Sequence, residues 1–216
     1  MKKLLSVICV VGLMALSVQQ AEAQDTKFGI KGGGTLYSVT TSFAGFDETS
    51  SNKIGFAAGL YVEKPFSDLI SLQVEGLFVQ KGGEEEGDDF FGDEEITLSY
   101  VDVPVLLKVN IPLDGGAQPY VYGGGFAGYL LDATASEEGF EDEDISEFLK
   151  DLNYGVTFGA GVSFGMFNLD IRYDLGLANI YDDSVFDDMG GFDDFFGGAS
   201  IEGSTSGFML TAGISF

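Results

Sequence analysis

Apolar and polar residues alternate along several segments of the chain with a period of two. In the clearest segment, every odd position from Val101 to Val109 is valine or leucine, whereas the even positions include Asp102 and Lys108. The same alternation runs through four other segments, at residues 55–63, 154–164, 169–178 and 208–216. Successive side chains of a β-strand point to opposite faces, so this pattern predicts strands with one apolar face.

Three further segments have the strand period but are interrupted by glycines. They lie near residues 27–39, 70–81 and 119–131. In the second of them, Leu77 and Val79 fall on the face that is otherwise polar. With these three segments the sequence predicts eight strands.

The predicted connections alternate in length. The long ones are residues 40–52, 82–95, 132–152 and 181–206, and the short ones are 66–69, 112–118 and 165–167. Antiparallel neighbours joined in this way place all long loops at one end and all short turns at the other, as in outer-membrane barrels. The sequence therefore predicts an all-β fold: an eight-stranded antiparallel up-and-down transmembrane β-barrel, closed so that no sheet edge meets lipid.

The beginning of the chain has the pattern of a secretory signal. Lys2 and Lys3 precede an apolar run from Leu4 to Val18, and Ala21-Glu22-Ala23 follows as a small-x-small cleavage site. This pattern predicts a cleavable signal peptide at residues 1–23 and a barrel domain at residues 24–216. The alternative is a retained membrane-anchoring helix. Cys9, the single cysteine, lies inside the apolar run.

The residue types that many catalytic mechanisms need are missing. The chain contains no histidine, and its cysteine lies in the predicted signal peptide. Ser-His-Asp triads, Cys-His pairs and histidine-containing zinc sites are therefore excluded. A hydrolase that uses only carboxylates would need two of them at a fixed separation, and no spacing singles out such a pair. We expect a protein that is not an enzyme, with no catalytic residues and no organic cofactor.

Charged residues on the predicted lumen face need partners of opposite charge, because the lumen removes them from water. This face holds Lys31, Glu63, Glu75, Asp102, Lys108, Asp170, Arg172 and Asp174. A ring of eight strands encloses a space that side chains fill, so a network in which Lys108 and Arg172 pair with carboxylates is the favoured interpretation. A path for protons or ions is the alternative.

The predicted long loops hold most of the 35 acidic residues of the chain, whose formal net charge is −25. Such loops can simply be solvated, or they can bind Ca²⁺ or Mg²⁺ weakly through carboxylate oxygens, although no segment has the EF-hand spacing. The weak candidates for metal ligands are Glu84, Glu85, Glu86, Asp88, Asp89, Glu141, Asp142, Glu143 and Asp144. The same net charge excludes nucleic acid as a partner.

Aromatic residues lie among the acids of these loops. They are Phe90, Phe91, Phe140, Phe148, Phe186, Phe192, Phe195 and Phe196. Exposed apolar side chains would be explained by contact with a protein partner or with the outer leaflet, and packing between loops is the alternative. Residues 142–152 are also predicted to form a short helix over the barrel mouth, with Ile145, Phe148, Leu149 and Leu152 on one side.

Three segments resemble a known family. The sequence Tyr-Val-Asp-Val-Pro-Val-Leu-Leu-Lys at 100–108, Pro-Tyr-Val-Tyr-Gly-Gly at 119–124 and Arg-Tyr-Asp-Leu-Gly-Leu-Ala-Asn-Ile at 172–180 are similar to strands of the PorT-like outer-membrane β-barrel family of Bacteroidota. The resemblance implies an eight-stranded barrel. Most members of that family have no assigned biochemical role, and a PorT-type member is tied to a protein-secretion machinery.

Two functional hypotheses follow from these patterns. The first is an outer-membrane barrel with a structural or interaction role, whose acidic extracellular loops bind divalent cations or an unidentified protein partner. It implies contact with lipid and lipopolysaccharide, a monomer, and recognition of the last strand, which stops at Phe216, by the barrel assembly machinery. The second is a soluble barrel that encloses a small apolar ligand, as lipocalins do. A narrow channel is a third hypothesis, and we expect conductance measurements to detect no channel.

Overall fold

The computed structural model describes residues 26–43, 46–85, 94–113, 115–137, 142–182 and 201–216. These residues form one 3₁₀ helix, Ser146–Phe148, and ten strands. The strands are β1 Lys27–Phe43, β2 Phe46–Thr49, β3 Ser51–Pro65, β4 Ile70–Glu85, β5 Glu94–Asn110, β6 Ala117–Glu137, β7 Glu143–Asp144, β8 Leu152–Phe164, β9 Phe167–Gly176 and β10 Ile201–Ser215. The described part of the chain has no helix long and apolar enough to cross a membrane.

Eight long strands form a closed ring. Their order is β1, β3, β4, β5, β6, β8, β9 and β10, each antiparallel to the next, and β10 pairs again with β1. The two short strands lie outside this ring, since β2 pairs with β1 and β7 with β6. The prediction of an eight-stranded up-and-down barrel is thus confirmed.

The seam between the first and last strands is fully paired. Its register runs from Gly29 opposite Ser215 to Phe43 opposite Ile201. Below it, the N–H of Phe216 donates to the carbonyl oxygen of Phe28 at 2.6 Å. Because unpaired backbone groups in lipid cost several kcal/mol each, a continuous seam is the condition for placing this sheet in a membrane.

The two faces of the wall are sorted as the alternation predicts. Phe158 and Ile171 point outward and are 55% and 51% exposed, whereas Asp102 and Arg172 point into the ring and are each 2% exposed. Val103 also lies on the outward face of β5, between the buried residues Asp102 and Pro104. An apolar exterior around a charged interior matches the membrane barrel. It is the reverse of what a soluble barrel with an apolar ligand cavity requires.

Tight contact between neighbouring strands explains particular glycines. A Cβ atom on Gly124 would lie 1.9 Å from the carbonyl oxygen of Val105, and one on Gly33 would lie 1.9 Å from that of Leu210. Both glycines are on the inner side of a strongly curved wall. The backbones can approach there only because no side chain intervenes.

The predicted short turns are confirmed, but the long loops are shorter than predicted. Residues 66–69 and 165–166 connect their strands, as expected. At the other end, β1 continues to Phe43, β4 to Glu85 and β6 to Glu137. The polar composition of these segments suggested loops. Their backbones nevertheless continue the hydrogen bonding of the strands below them. Hydrogen bonds between backbones do not require apolar side chains.

The predicted helix at residues 142–152 is wrong. The segment contains β7, the single 3₁₀ turn and the start of β8, and Leu152 points outward with 56% exposure. Backbone bonds tie the segment to the barrel, since Ile145 N–H donates to Ala133 at 2.9 Å and Lys150 N–H donates to Ile180 at 2.7 Å. These bonds replace the internal hydrogen bonds that a helix would need.

Candidate functional site: lumen and rims of the barrel

Ion pairs fill the lower lumen, near the short turns. Lys108 Nζ lies 2.8 Å from Glu63 Oε2, and Ser71 Oγ donates to the other oxygen of the same carboxylate at 2.9 Å. Glu63, Ser71 and Lys108 come from β3, β4 and β5, whose register brings them together. The expectation that Lys108 pairs with a carboxylate is confirmed.

A larger network occupies the centre of the lumen. Glu75 receives Lys31 at 3.0 Å and the guanidinium of Arg172 at 2.9 Å. Lys31 also donates to both oxygens of Asp170 at 3.2 Å, and Tyr122 donates to Asp170 at 2.8 Å. Every charged group here is buried, so each depends on its neighbours to offset the loss of hydration.

The upper lumen contains Lys81, which is not among the lumen residues predicted from the sequence. Lys81 Nζ is fully buried, lies 2.8 Å from Asp102 Oδ2, and lies 4.5 Å from the ring centre of Phe126 and 4.9 Å from that of Tyr100. Such aromatic faces attract a desolvated cation. The signal was present, because Lys81 shares the strand parity of Glu75, Leu77 and Val79, all of which point inward.

All eight charged residues that the sequence placed in the lumen are buried there. They form pairs rather than a row of free groups. The last of them, Asp174, accepts a hydrogen bond from Tyr37 at 2.5 Å and lies 3.9 Å from the guanidinium of Arg172. The arrangement is that of a structural network, in keeping with the favoured interpretation of these charges.

The two ends of the lumen differ in polarity. At the long-loop end, apolar side chains from the wall pack against Leu149 and Ile180, which lie in segments connecting the strands. The buried members of this apolar cap are Val39, Leu98, Tyr100, Leu130, Ala133, Leu149 and Ile180. At the short-turn end, a cavity of about 610 Å³ opens between the turns and is lined mainly by polar residues.

Carboxylates meet one another at the rim above the cap. Strand register places Glu84 opposite Glu95 and Glu94 opposite Glu137. The described cation at this rim that pairs with them is Lys53, whose Nζ contacts Glu95 Oε1. Glu94, Glu95 and Glu137 were not among the candidate ligands selected from the sequence.

The candidate metal ligands are only partly brought together. Asp142, Glu143 and Asp144 lie beside the end of β6, where Asp142 accepts a hydrogen bond from Ser136 Oγ at 2.8 Å. Glu84 and Glu85 end β4, while Glu86, Asp88, Asp89 and Glu141 lie outside the described residues. Within the described ranges, no group of three acidic side chains has the arrangement of a metal site.

Asp144 has a local structural role. Its Oδ1 accepts the backbone N–H of Ser146 at 2.9 Å, at the start of the 3₁₀ turn. Hydrogen bonds from the Ser146 hydroxyl and backbone hold the pKa of the Asp144 carboxyl below its usual value of 3.8. Asp144 therefore closes a short turn through one of its two carboxylate oxygens.

The chain is similar to several solved structures of bacterial proteins. The chain is 18% identical to Ail, the attachment invasion locus protein of Yersinia pestis, with 89% of this chain and 100% of that chain covered and a TM-score of 0.44. For Neisserial surface protein A the identity is 10%, the coverage 89% and 100%, and the TM-score 0.46. For OprG from Pseudomonas aeruginosa the identity is 15%, the coverage 89% and 97%, and the TM-score 0.47.

No curated protein matches the chain. A family model does: residues 19–182, more than half of the chain, match the model described as "Outer membrane protein beta-barrel domain". The match agrees with the ring of eight paired strands and with its apolar exterior. The chain belongs to the outer membrane protein beta-barrel domain family, and the protein is located in the outer membrane.

Proposed function

We propose that this protein is a non-enzymatic outer-membrane barrel whose acidic extracellular rim binds divalent cations. The observation that supports this role is the strand register at the rim, which sets Glu84 against Glu95 and Glu94 against Glu137. Short turns of outer-membrane barrels face the periplasm, so this rim faces the cell exterior.

Opposed carboxylates favour a bound cation on electrostatic grounds. Like charges directly opposite each other on neighbouring strands destabilise the pair, and Lys53 relieves this repulsion only at Glu95. Ca²⁺ and Mg²⁺ take carboxylate oxygens as ligands and would remove it. At the membrane surface, such ions would also link the rim to the phosphates of lipopolysaccharide, the lipid partner we propose.

The experiment measures thermal unfolding of the refolded barrel in detergent, with CaCl₂, with MgCl₂ or with EDTA. We expect Tm to rise with either cation, and the triple variant Glu84→Gln, Glu94→Gln, Glu95→Gln to lose most of this rise. The control is Glu202→Gln, an exposed glutamate that faces Ser42 across the strand pair. A cation response that is equal in wild type, triple variant and control would refute the proposal.

A protein partner at the same end is the second candidate. Phe46, at the start of β2, is 80% exposed, and an aromatic side chain in that position is typical of a binding surface. A photo-crosslinking residue at position 46 should capture a discrete partner in intact cells, while the same probe at position 48 should capture less. Equal labelling from both positions would count against a specific surface.

We also propose that the chain is a PorT-like member of its family and acts as a monomer. The three motifs that support this placement lie on or just beyond β5, β6 and β9. A role in protein secretion would appear as retention of exported proteins in a deletion strain. Normal secretion in that strain would contradict a role in protein secretion.

A further inference from the structure

The cavity at the short-turn end has the features of a binding site open to the periplasm. We call it the periplasmic vestibule. It is about 610 Å³ in volume, within the range of ligand pockets, and all eight ring strands contribute to its wall. The residues that matter for its chemistry are Lys27, Glu63, Lys108, Asn110, Gln118 and Asp170.

The carboxylates of the vestibule are already occupied. Both oxygens of Glu63 accept hydrogen bonds, from Ser71 and Lys108. Both oxygens of Asp170 accept Lys31, and Tyr122 donates to one of them as well. A cationic ligand would therefore have to displace buried partners before it met a free carboxylate.

The ammonium group of Lys27 has no ion-pair partner among the described residues, and it is exposed at the edge of the vestibule. Strand register places Lys27 directly opposite Glu63, but both oxygens of that carboxylate already accept hydrogen bonds, from Ser71 and Lys108. The charges that line the vestibule balance, with Lys27 and Lys108 against Glu63 and Asp170. Lys27 is therefore the described cation of the vestibule that is open to a ligand carboxylate.

Side-chain amides supply the remaining recognition groups. Asn110 and Gln118 line the vestibule and make no side-chain hydrogen bond to another described residue. Each amide offers both donors and an acceptor, which is the complement of a peptide group. Tyr120 adds an aromatic surface, over which Lys108 Nζ lies 3.8 Å from the ring centre.

We propose that the periplasmic vestibule binds the carboxylate end of a short peptide chain. The terminal carboxylate contacts Lys27, and the amides of Asn110 and Gln118 pair with the last peptide groups. The buried floor formed by Glu63 and Lys108 holds the shape of the site and stays paired. The ligand is either a free short peptide or the end of a longer periplasmic chain, which share this chemistry.

The test is calorimetric titration of the refolded full barrel, in EDTA so that cations at the opposite rim play no part. The probes are acetyl-Ala-Ala with a free carboxylate, its C-terminal amide, and inorganic phosphate. We expect the acid to bind at least about tenfold more tightly than the amide, a difference of about 1.4 kcal/mol. Lys27→Met should abolish that difference.

The matched control is Lys64→Met. Lys64 lies at the same end of the barrel, on the outward face of β3, so this variant changes the charge equally without touching the vestibule. It should bind the acid as the wild type does. Heat-modifiable migration on a gel confirms that each variant is folded.

Each possible result of the titration either supports the proposal or overturns it. Equal binding of acid and amide, equal loss in both lysine variants, or no binding by any probe would overturn the proposal. Binding of phosphate but not of the peptide acid would also overturn it. A longer peptide with the same last two residues distinguishes the sources, since tighter binding than the dipeptide favours the end of a longer chain and equal binding favours a free peptide.

Discussion

Carboxylates are numerous in two regions of this barrel, the lumen and the rim at the long-loop end. Those in the lumen are next to cations, whereas those at the rim face one another. In the lumen, Glu75 meets Lys31 and Arg172. At the rim, Glu94 lies across from Glu137. A charge removed from water must find an opposite charge, whereas solvent and salt weaken, without abolishing, the repulsion between exposed like charges. Burial, not sequence composition, therefore decides how strictly the acids are paired.

The strongest way to break this contrast is to remove a cation from the centre of the lumen. Arg172→Met leaves Glu75 with Lys31 alone and takes from Asp174 the guanidinium that lies 3.9 Å away. Breaking a buried pair in this way costs about 3–5 kcal/mol. Urea unfolding of the barrel in lipid vesicles should show a loss of this size. Unchanged stability would mean that water reaches these carboxylates.

The same substitution at the rim should have a much smaller effect. Lys53→Met removes the partner of Glu95. The Lys53 side chain is buried, but that of Glu95 is 46% exposed, so solvent reaches the pair. Pairs that solvent reaches contribute about 0–1 kcal/mol, and salt weakens them further. The difference in unfolding free energy between wild type and variant should therefore shrink as the ionic strength rises. A loss of unfolding free energy as large as that of Arg172→Met would mean that the rim is shielded from water.

The smallest effect concerns Asp144, which is fully exposed. Because hydrogen bonds from Ser146 lower the pKa of this carboxyl in the folded state, its contribution is present above the usual value of 3.8 and is lost as the pH falls through the lowered pKa. The amide resonance of Ser146 should follow that titration below pH 3.8 and should lose it in Asp144→Asn. A midpoint above 3.8 would contradict the hydrogen bond from Ser146 to Asp144.

Strand parity was enough to predict the barrel strands and eight of the charged residues in the lumen, although Lys81 was missed. The alternation of Val101 to Val109 with Asp102 and Lys108 specifies which face is buried, and the structure follows it. The rim could not be predicted in the same way. Whether Glu94 meets Glu137 depends on how far β5 and β6 stay paired beyond the membrane, and backbone pairing leaves little trace in side-chain periodicity.

The residues at 142–152 show the same limit. Ile145 and Leu149 have helical spacing; Leu149 belongs to the apolar cap and Ile145 packs against it, so the apolar pattern did indicate burial. The segment is not helical, because its backbone N–H groups donate to Ala133 in β6 and to Ile180 beyond the end of β9. Contacts of that kind are set by the closed ring and are invisible in a local window.

The pairing of β1 with β10 has a consequence for biogenesis. Gly29 finds its partner only when Ser215 has been synthesised, so the most distant parts of the polypeptide must meet before any stable cylinder exists. Joining ends so far apart is entropically costly and slow. We therefore expect an incompletely paired, aggregation-prone intermediate before closure, with the pairing of the last strand as the final step of assembly.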